Sequence, residues 1–280
     1  MKSIRSLIII KILLLAFFSA KSQQGSKDLL HVQYGQYKQN TLDLYLPASY
    51  SNKTAVIIMI HGGAWVMGGN EYTEKTSKDL RDRGFIVANI DYRYVSDSVH
   101  CADLLSDIDK AVACIEKKAP GYHFNNTGYH LAGISAGSHL ALMYGYTTKK
   151  ALRSISVLCP PTKLDDKSAL AFIEKNNLKK NIELLANSQF ETGKPPSKAF
   201  TLVSPYANIT GIPTLIFHGD KDELVPLSQS TLLYDKLQQE KVKSKFIIMK
   251  GKGHDCGMND KDSEKLVLDE ITSWVETMNK

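Results

Sequence analysis

The sequence predicts an α/β fold: about eight strands in a mostly parallel sheet, helices on both faces, and a small cap-like insertion. Three observations predict it. Apolar runs rich in β-branched residues alternate with longer amphipathic stretches, the pattern of a parallel sheet covered by helices. The runs Ala55 to Ile60, Phe85 to Ile90 and Thr214 to Phe217 are nearly all apolar, as strands buried on both faces require. One stretch, 160–206, breaks the alternation with short helical patterns and the turn Lys194-Pro195-Pro196, and is expected to lie over the C-terminal edge of the sheet, where α/β folds bind ligands.

The elements follow in chain order. Lys2 and Arg5 precede an apolar run, Leu7 to Phe18, interrupted by Lys11, and small residues at Ala20 and Ser22 sit where a signal peptidase needs them. Residues 1–22 therefore read as a signal peptide cleaved near Ser22. The run is shorter than the roughly 18–20 residues that cross a bilayer, so stable membrane insertion after cleavage is not expected. The expected product is a secreted or periplasmic domain, 23–280, whose formal charge falls from +6 to +2 when the leader leaves. Its lysines are scattered among acids with no basic stripe, which argues against nucleic-acid binding.

Strands are expected near 30–36, 41–46, 55–60, 85–90, 129–134, 154–159, 214–218 and 245–249, the first two as an antiparallel edge with polar alternation. Helices are expected near 72–83, 103–118, 136–148, 228–240 and 263–278, the last with Leu266, Ile271, Trp274 and Val275 on one side. Cys101, Cys114, Cys159 and Cys256 show no metal-ligand spacing, and their pairing stays open. If Cys101 and Cys114 share a helix, they stand roughly 20 Å apart, too far for a bridge. Asn52, Asn125 and Asn208 open N-x-[ST] sequons.

Four segments that each follow a strand carry the chemistry. Gly133-Ile134-Ser135-Ala136-Gly137 joins a strand to a helix; a nucleophilic serine there needs glycines two positions away for clearance, and the helix start directs N–H groups at a developing oxyanion. His61-Gly62-Gly63-Ala64-Trp65 offers a second donor, Gly63 or Ala64, to pair with Ala136. The loop beginning at His218 offers three acids, Asp220, Asp222 and Glu223, of which one would orient a histidine and the others would be solvated or cap the next helix. Gly251-Lys252-Gly253-His254 presents a mobile general base. Each segment alone has an ordinary structural explanation. Serine, then acid, then histidine, each directly after a strand, is the chain order of a triad gathered at one sheet edge.

At these residues the chain resembles the α/β-hydrolase superfamily, in particular the esterase/lipase branch that pairs HGG-x-W with G-x-S-A-G. The likeness includes Asp91-Tyr92-Arg93-Tyr94, Ser204-Pro205 and the segment His218 to Pro226, and touches acetyl-xylan and feruloyl esterase-like enzymes and kynurenine formamidases. Ala64 stands where hormone-sensitive-lipase relatives carry a third glycine, which places the match in the HGG-x-W group. The resemblance implies an α/β-hydrolase fold, Asp222 as the acid, no metal or organic cofactor, and a small-molecule or carbohydrate-linked ester as substrate. Two alternatives stand beside it: an arylformamidase or exopeptidase-like amidase, and a binding module of the same fold without catalysis.

Overall fold

The computed structural model describes residues 25–191 and 193–280; the expected signal peptide lies outside the described residues. Among the described residues, eight strands form one sheet: β1 (Lys27–Gln33), β2 (Thr41–Leu46), β3 (Val56–Ile60), β4 (Ile86–Ile90), β5 (Tyr129–Ile134), β6 (Leu152–Leu158), β7 (Thr214–Gly219) and β8 (Ser244–Met249). Their order is β1-β2-β4-β3-β5-β6-β7-β8. The pairs β1/β2 and β2/β4 are antiparallel and the rest are parallel. This is the α/β-hydrolase arrangement that the sequence predicts.

Eight α-helices of the described residues accompany the sheet: α1 (Glu74–Asp82), α2 (Cys101–Tyr122), α3 (Ala136–Thr147), α4 (Lys167–Lys175), α5 (Lys179–Ala186), α6 (Lys198–Leu202), α7 (Ser228–Gln239) and α8 (Lys261–Met278). Period-2 alternation divides the core into two layers. Val56, Ile58 and Ile60 of β3 face the layer that holds Leu104 and Ile108 of α2, Leu140 of α3 and Leu233 of α7. Ile57 and Met59 face the other layer, with Leu80 of α1 and Val267, Ile271 and Val275 of α8. Each fully buried aliphatic side chain removes enough apolar surface to contribute about 1.5–3 kcal/mol. Helix α3 is buried from Ala136 to Tyr146, so the helix that follows Ser135 is packed on all sides.

Three boundaries differ from expectation. β1 starts and ends three residues earlier, because Tyr34 N–H donates to Asn40 O and turns the chain there, while His31 bulges with φ 53° and donates its N–H to Asp43. β2 is buried at every position after Thr41: β4 pairs on its other side, so of the first two strands β1 alone is an edge, and the alternation seen in β2 is satisfied by Asp43 meeting Tyr45 Oη and His31 N–H. α2 extends beyond both expected ends, to Cys101, where Asp103 accepts the His100 N–H, and through Pro120 in its final turn. The stretch 160–206 holds α4, α5 and α6. No helix among the described residues is long and apolar enough to cross a membrane.

Candidate active site

Ser135 occupies the turn between β5 and α3 with φ 56° and ψ −121°, a strained conformation for a residue with a side chain. The two flanking glycines explain how the turn closes. A Cβ on Gly137 would overlap the carbonyl oxygens of Ile60 and His61, and one on Gly133 would lie 2.5 Å from Gly137 O. The turn is fixed to β6 as well: Ser135 N–H donates to Leu158 O at 2.8 Å, and Ser138 Oγ spans Gly133 O (2.7 Å) and Leu158 O (2.8 Å).

Around Ser135 the other predicted residues converge. His254 Nε2 lies 2.8 Å from Ser135 Oγ, and His254 Nδ1 lies 2.8 Å from Asp222 Oδ2. A carboxylate can only accept, so Nδ1 carries the proton, and in the neutral ring Nε2 is free to accept the serine hydroxyl. The three competing acids separate cleanly. Asp222 faces His254, while its Oδ1 accepts the N–H groups of Leu224 and Val225, both at 2.8 Å. Asp220 instead accepts the Gly251 N–H at 2.6 Å from an exposed position, and Glu223 is exposed. Neither caps α7, whose first residue follows Leu227 without a side-chain cap.

Electrostatics follow from these contacts. Burial disfavours the Asp222 charge, but hydrogen bonds from His218 and His254 outweigh it and hold the carboxyl well below its usual range. Burial likewise opposes the His254 cation; the Asp222 hydrogen bond and charge, with Cys159 alongside, overcome it and push His254 up to about 9.

The His61 to Trp65 segment lies against the Ser135 turn: a Cβ on Gly62 would stand 3.3 Å from Ser135 Cβ. Gly63 (φ 115°), Ala64 (φ 49°) and Trp65 (φ 63°) all have positive φ, and all three line the same cavity as Ser135. Among the described residues, the N–H groups of Gly63, Ala64 and Ala136 donate to no acceptor in the chain. Burial pushes His61 down to about 4, so it is a neutral structural residue. Its Nδ1 donates to Gly62 O at 2.6 Å, and its ring stacks on Tyr92 at 4.3 Å. The Asp91 to Tyr94 motif thereby gains a physical role: Tyr92 Oη donates to His61 O at 2.9 Å, and Arg93 pairs with the buried Asp107 at 2.7 Å, holding the loop after β4 to α2.

Two buried histidines have no role legible in the sequence. His218 Nε2–H is shared between Val225 O (2.9 Å) and Asp222 Oδ2 (3.2 Å), while its Nδ1 accepts from Ser230 Oγ at 2.7 Å. It fixes the acid. His139 accepts from Trp65 Nε1 at 3.3 Å and donates to Val203 O at 2.8 Å, joining the His61 to Trp65 loop, α3 and the 160–206 insertion. The His-Gly dipeptide that ends β7 could have drawn attention to His218; nothing marks His139. Cys159, His218 and Asp222 place a sulfur, a nitrogen and a carboxylate oxygen within 4.8 Å of one another, but each is already engaged, by Cys256, by Val225 and Ser230, and by His254.

A cavity of about 680 Å³ opens onto Ser135 and His254. Its walls are Ile173 of α4, Leu178, Ile182 of α5, Val66, Met67, Tyr72 and Leu224, with Asn181 as an amide among them. Met67, Tyr72 and Leu224 remain exposed at its rim.

The BD-FAE family profile matches residues 42–237, from β2 through most of α7, including Ser135 and Asp222. The chain belongs to the BD-FAE family. This BD-FAE chain is 26% identical to a probable isoprenylcysteine alpha-carbonyl methylesterase of Oryza sativa subsp. japonica, over 89% of this chain and 62% of that protein. It spans between half and two thirds of the length of the curated methylesterases it matches. A kynurenine formamidase of Danio rerio is 26% identical over 44% of this chain and 40% of its own length. Among solved structures, a truncated carbohydrate esterase from gut microbiota superposes with a TM-score of 0.74 at 20% identity, covering 92% of this chain and 98% of that one, a likeness of fold. His254 lies beyond the matched BD-FAE segment, so its position rests on the geometry.

Proposed function

We propose that this protein is a serine carboxylic-ester hydrolase working through an acyl-enzyme on Ser135. One observation carries the reading: a strained serine, a histidine and a buried carboxylate in an unbroken hydrogen-bonded line, each link 2.8 Å, at the floor of an apolar cavity. Ser135 Oγ attacks the ester carbonyl carbon as His254 Nε2 takes its proton. The tetrahedral oxyanion receives the N–H groups of Ala136 and of Gly63 or Ala64, which have no competing acceptor in the chain. The intermediate collapses, His254 returns the proton to the leaving alcohol, and water repeats the sequence to release the acid.

Cavity chemistry supports the larger of the acyl groups considered. Ile173, Leu178 and Ile182 offer contact to an aromatic or alkyl group, as in a feruloyl ester, and far more room than acetyl fills. The open rim leaves space for a carbohydrate alcohol. An arylformamidase is the second reading, favoured by the partial likeness to kynurenine formamidase and by the same triad's competence toward formamides. A non-catalytic binding module is disfavoured because every triad member is present and in line. We also propose export, on the strength of the charged, apolar and small-residue pattern in residues 1–22.

The test is Ser135→Ala in purified protein. Loss of p-nitrophenyl butyrate hydrolysis and of fluorophosphonate labelling is expected; retained turnover would remove Ser135 from the mechanism. Feruloyl and acetyl esters assayed beside N-formylkynurenine separate the substrate readings, and the N-terminal sequence of the exported protein tests cleavage near Ser22.

A further inference from the structure

Two cysteines adjoin the triad without entering its chemistry. Cys159 immediately follows β6, and its Sγ lies 3.0 Å from Sγ of Cys256, which stands two positions after His254. Both side chains are fully buried, and both residues have positive φ, 48° and 54°. The sulfurs are nearer than unbonded sulfur atoms rest and about 1 Å beyond a disulfide bond of about 2.04 Å. The other two cysteines cannot take this place: Cys101 and Cys114 both lie on α2, roughly 20 Å apart along its axis.

We propose that Cys159 and Cys256 are joined by a disulfide in the folded protein, tying the His254 loop to the end of β6. The same strand end holds the nucleophile turn, since Leu158 O accepts from Ser135 N–H and Ser138 Oγ. A bond from the next residue to Cys256 therefore puts base and nucleophile on one rigid element. The loop has most need of it: between β8 and α8 it contains only turns, with positive φ at Gly251 and Gly257.

The bond forms by thiol–disulfide exchange with a small-molecule or protein disulfide, R–S–S–R. One cysteine thiolate attacks a sulfur of R–S–S–R, giving a mixed disulfide and expelling one RS⁻. The second cysteine attacks the protein sulfur of that mixed disulfide and expels the other RS⁻. Two electrons pass from the cysteine pair to R–S–S–R, and the two thiol protons end on the departing thiolates. In the folded state Cys256 and burial hold the Cys159 thiol far above the ordinary thiol range, which disfavours its thiolate.

The wild-type chain is refolded from denaturant in a mixture of reduced and oxidised glutathione, quenched in denaturant with N-ethylmaleimide, and analysed by intact mass and peptide mapping. The expected product carries the label at Cys101 and Cys114 and contains a peptide linking Cys159 to Cys256. Labelling at all four cysteines, or a linkage through Cys101 or Cys114, would overturn the proposal. After reduction confirmed by labelling at all four cysteines, the melting temperature should fall by about 5–15 °C, as expected for opening a loop of about 97 residues. The double variant C159A/C256A should show no response to reductant. An unchanged melting temperature in reduced wild type would refute the tie, and neither readout depends on ester hydrolysis.

Discussion

Asp222→Asn separates the proposed mechanism from a merely well-packed loop. In the wild type Asp222 accepts four N–H groups: those of Leu224 and Val225 on Oδ1, and His254 Nδ1 and His218 Nε2 on Oδ2, at 2.8, 2.8, 2.8 and 3.2 Å. An asparagine that keeps its oxygen on the two backbone donors must turn its NH₂ toward the histidines. His254 then avoids a donor–donor clash only by moving its proton to Nε2, where it faces Ser135 Oγ and can no longer accept the serine proton. Wrong-tautomer substitutions of this kind lower kcat by about 10⁴, or about 5.4 kcal/mol of transition-state stabilisation. The unmatched buried donor adds about 1–3 kcal/mol of destabilisation, a fall of a few degrees in melting temperature. Saturating kcat on p-nitrophenyl butyrate, with a thermal melt of each variant, reads both effects. Asp220→Asn is the control: its carboxylate is exposed and accepts only Gly251 N–H, so the loss should stay within a few-fold. If Asp222→Asn keeps more than a tenth of wild-type kcat while folded, or Asp220→Asn loses more, the assignment of the acid is wrong.

Other perturbations probe the turn, the protonation state and the cavity. In Gly137→Ala the new methyl lands on the carbonyls of Ile60 and His61, backbone that cannot give way; about 1–3 kcal/mol of stability and about 10²-fold in kcat should be lost as Ser135 shifts, measured by melts and steady-state rates. Gly145→Ala meets side chains rather than backbone, the Ile155 tip at 2.5 Å and Leu131 at 3.5 Å, and should be milder in both measurements. Because His254 must be neutral to accept the serine proton and its pKa, with Cys159 as a thiol beside it, is raised to about 9, kcat/KM of the reduced protein should climb through neutral pH and level off only near pH 9. A plateau reached by pH 6 would contradict this. Stability runs the opposite way: the His254 contribution is complete below 6.5 and lost as pH rises through about 9, whereas that of Asp222 is present above 3.8 and lost as pH falls through its depressed folded pKa. Melts should therefore be flat for this pair between about pH 4 and 6.5. Finally, Ile182→Asn should cut kcat/KM for feruloyl or octanoyl esters by about tenfold and spare acetyl esters, since only the larger acyl groups reach the α5 wall; equal losses on both would place the acyl group elsewhere.

The sequence by itself determined the sheet and the segments from which the proposed reacting groups come. Buried strands such as β3 are apolar at every position because both faces are covered, and this leaves an unbroken signal. Gly133 and Gly137 are legible for a related reason: backbone contact on either side of Ser135 excludes any side chain, so the requirement is local to five residues. The tertiary structure decided what depends on groups distant in the chain. Asp220, Asp222 and Glu223 are equivalent acids within one loop, and only the approach of His254, 32 positions away, distinguishes Asp222. His139 and His218 look like ordinary core residues until Trp65, Val203 and Val225 supply their partners. Cys159 and Cys256 meet across 97 positions because β6 ends beside the His254 loop, and the apolar cavity arises only when α4 and α5 fold back over Ser135. Periodicity and steric exclusion are written along the chain, whereas pairing of buried polar groups is set by which strand ends adjoin in the sheet.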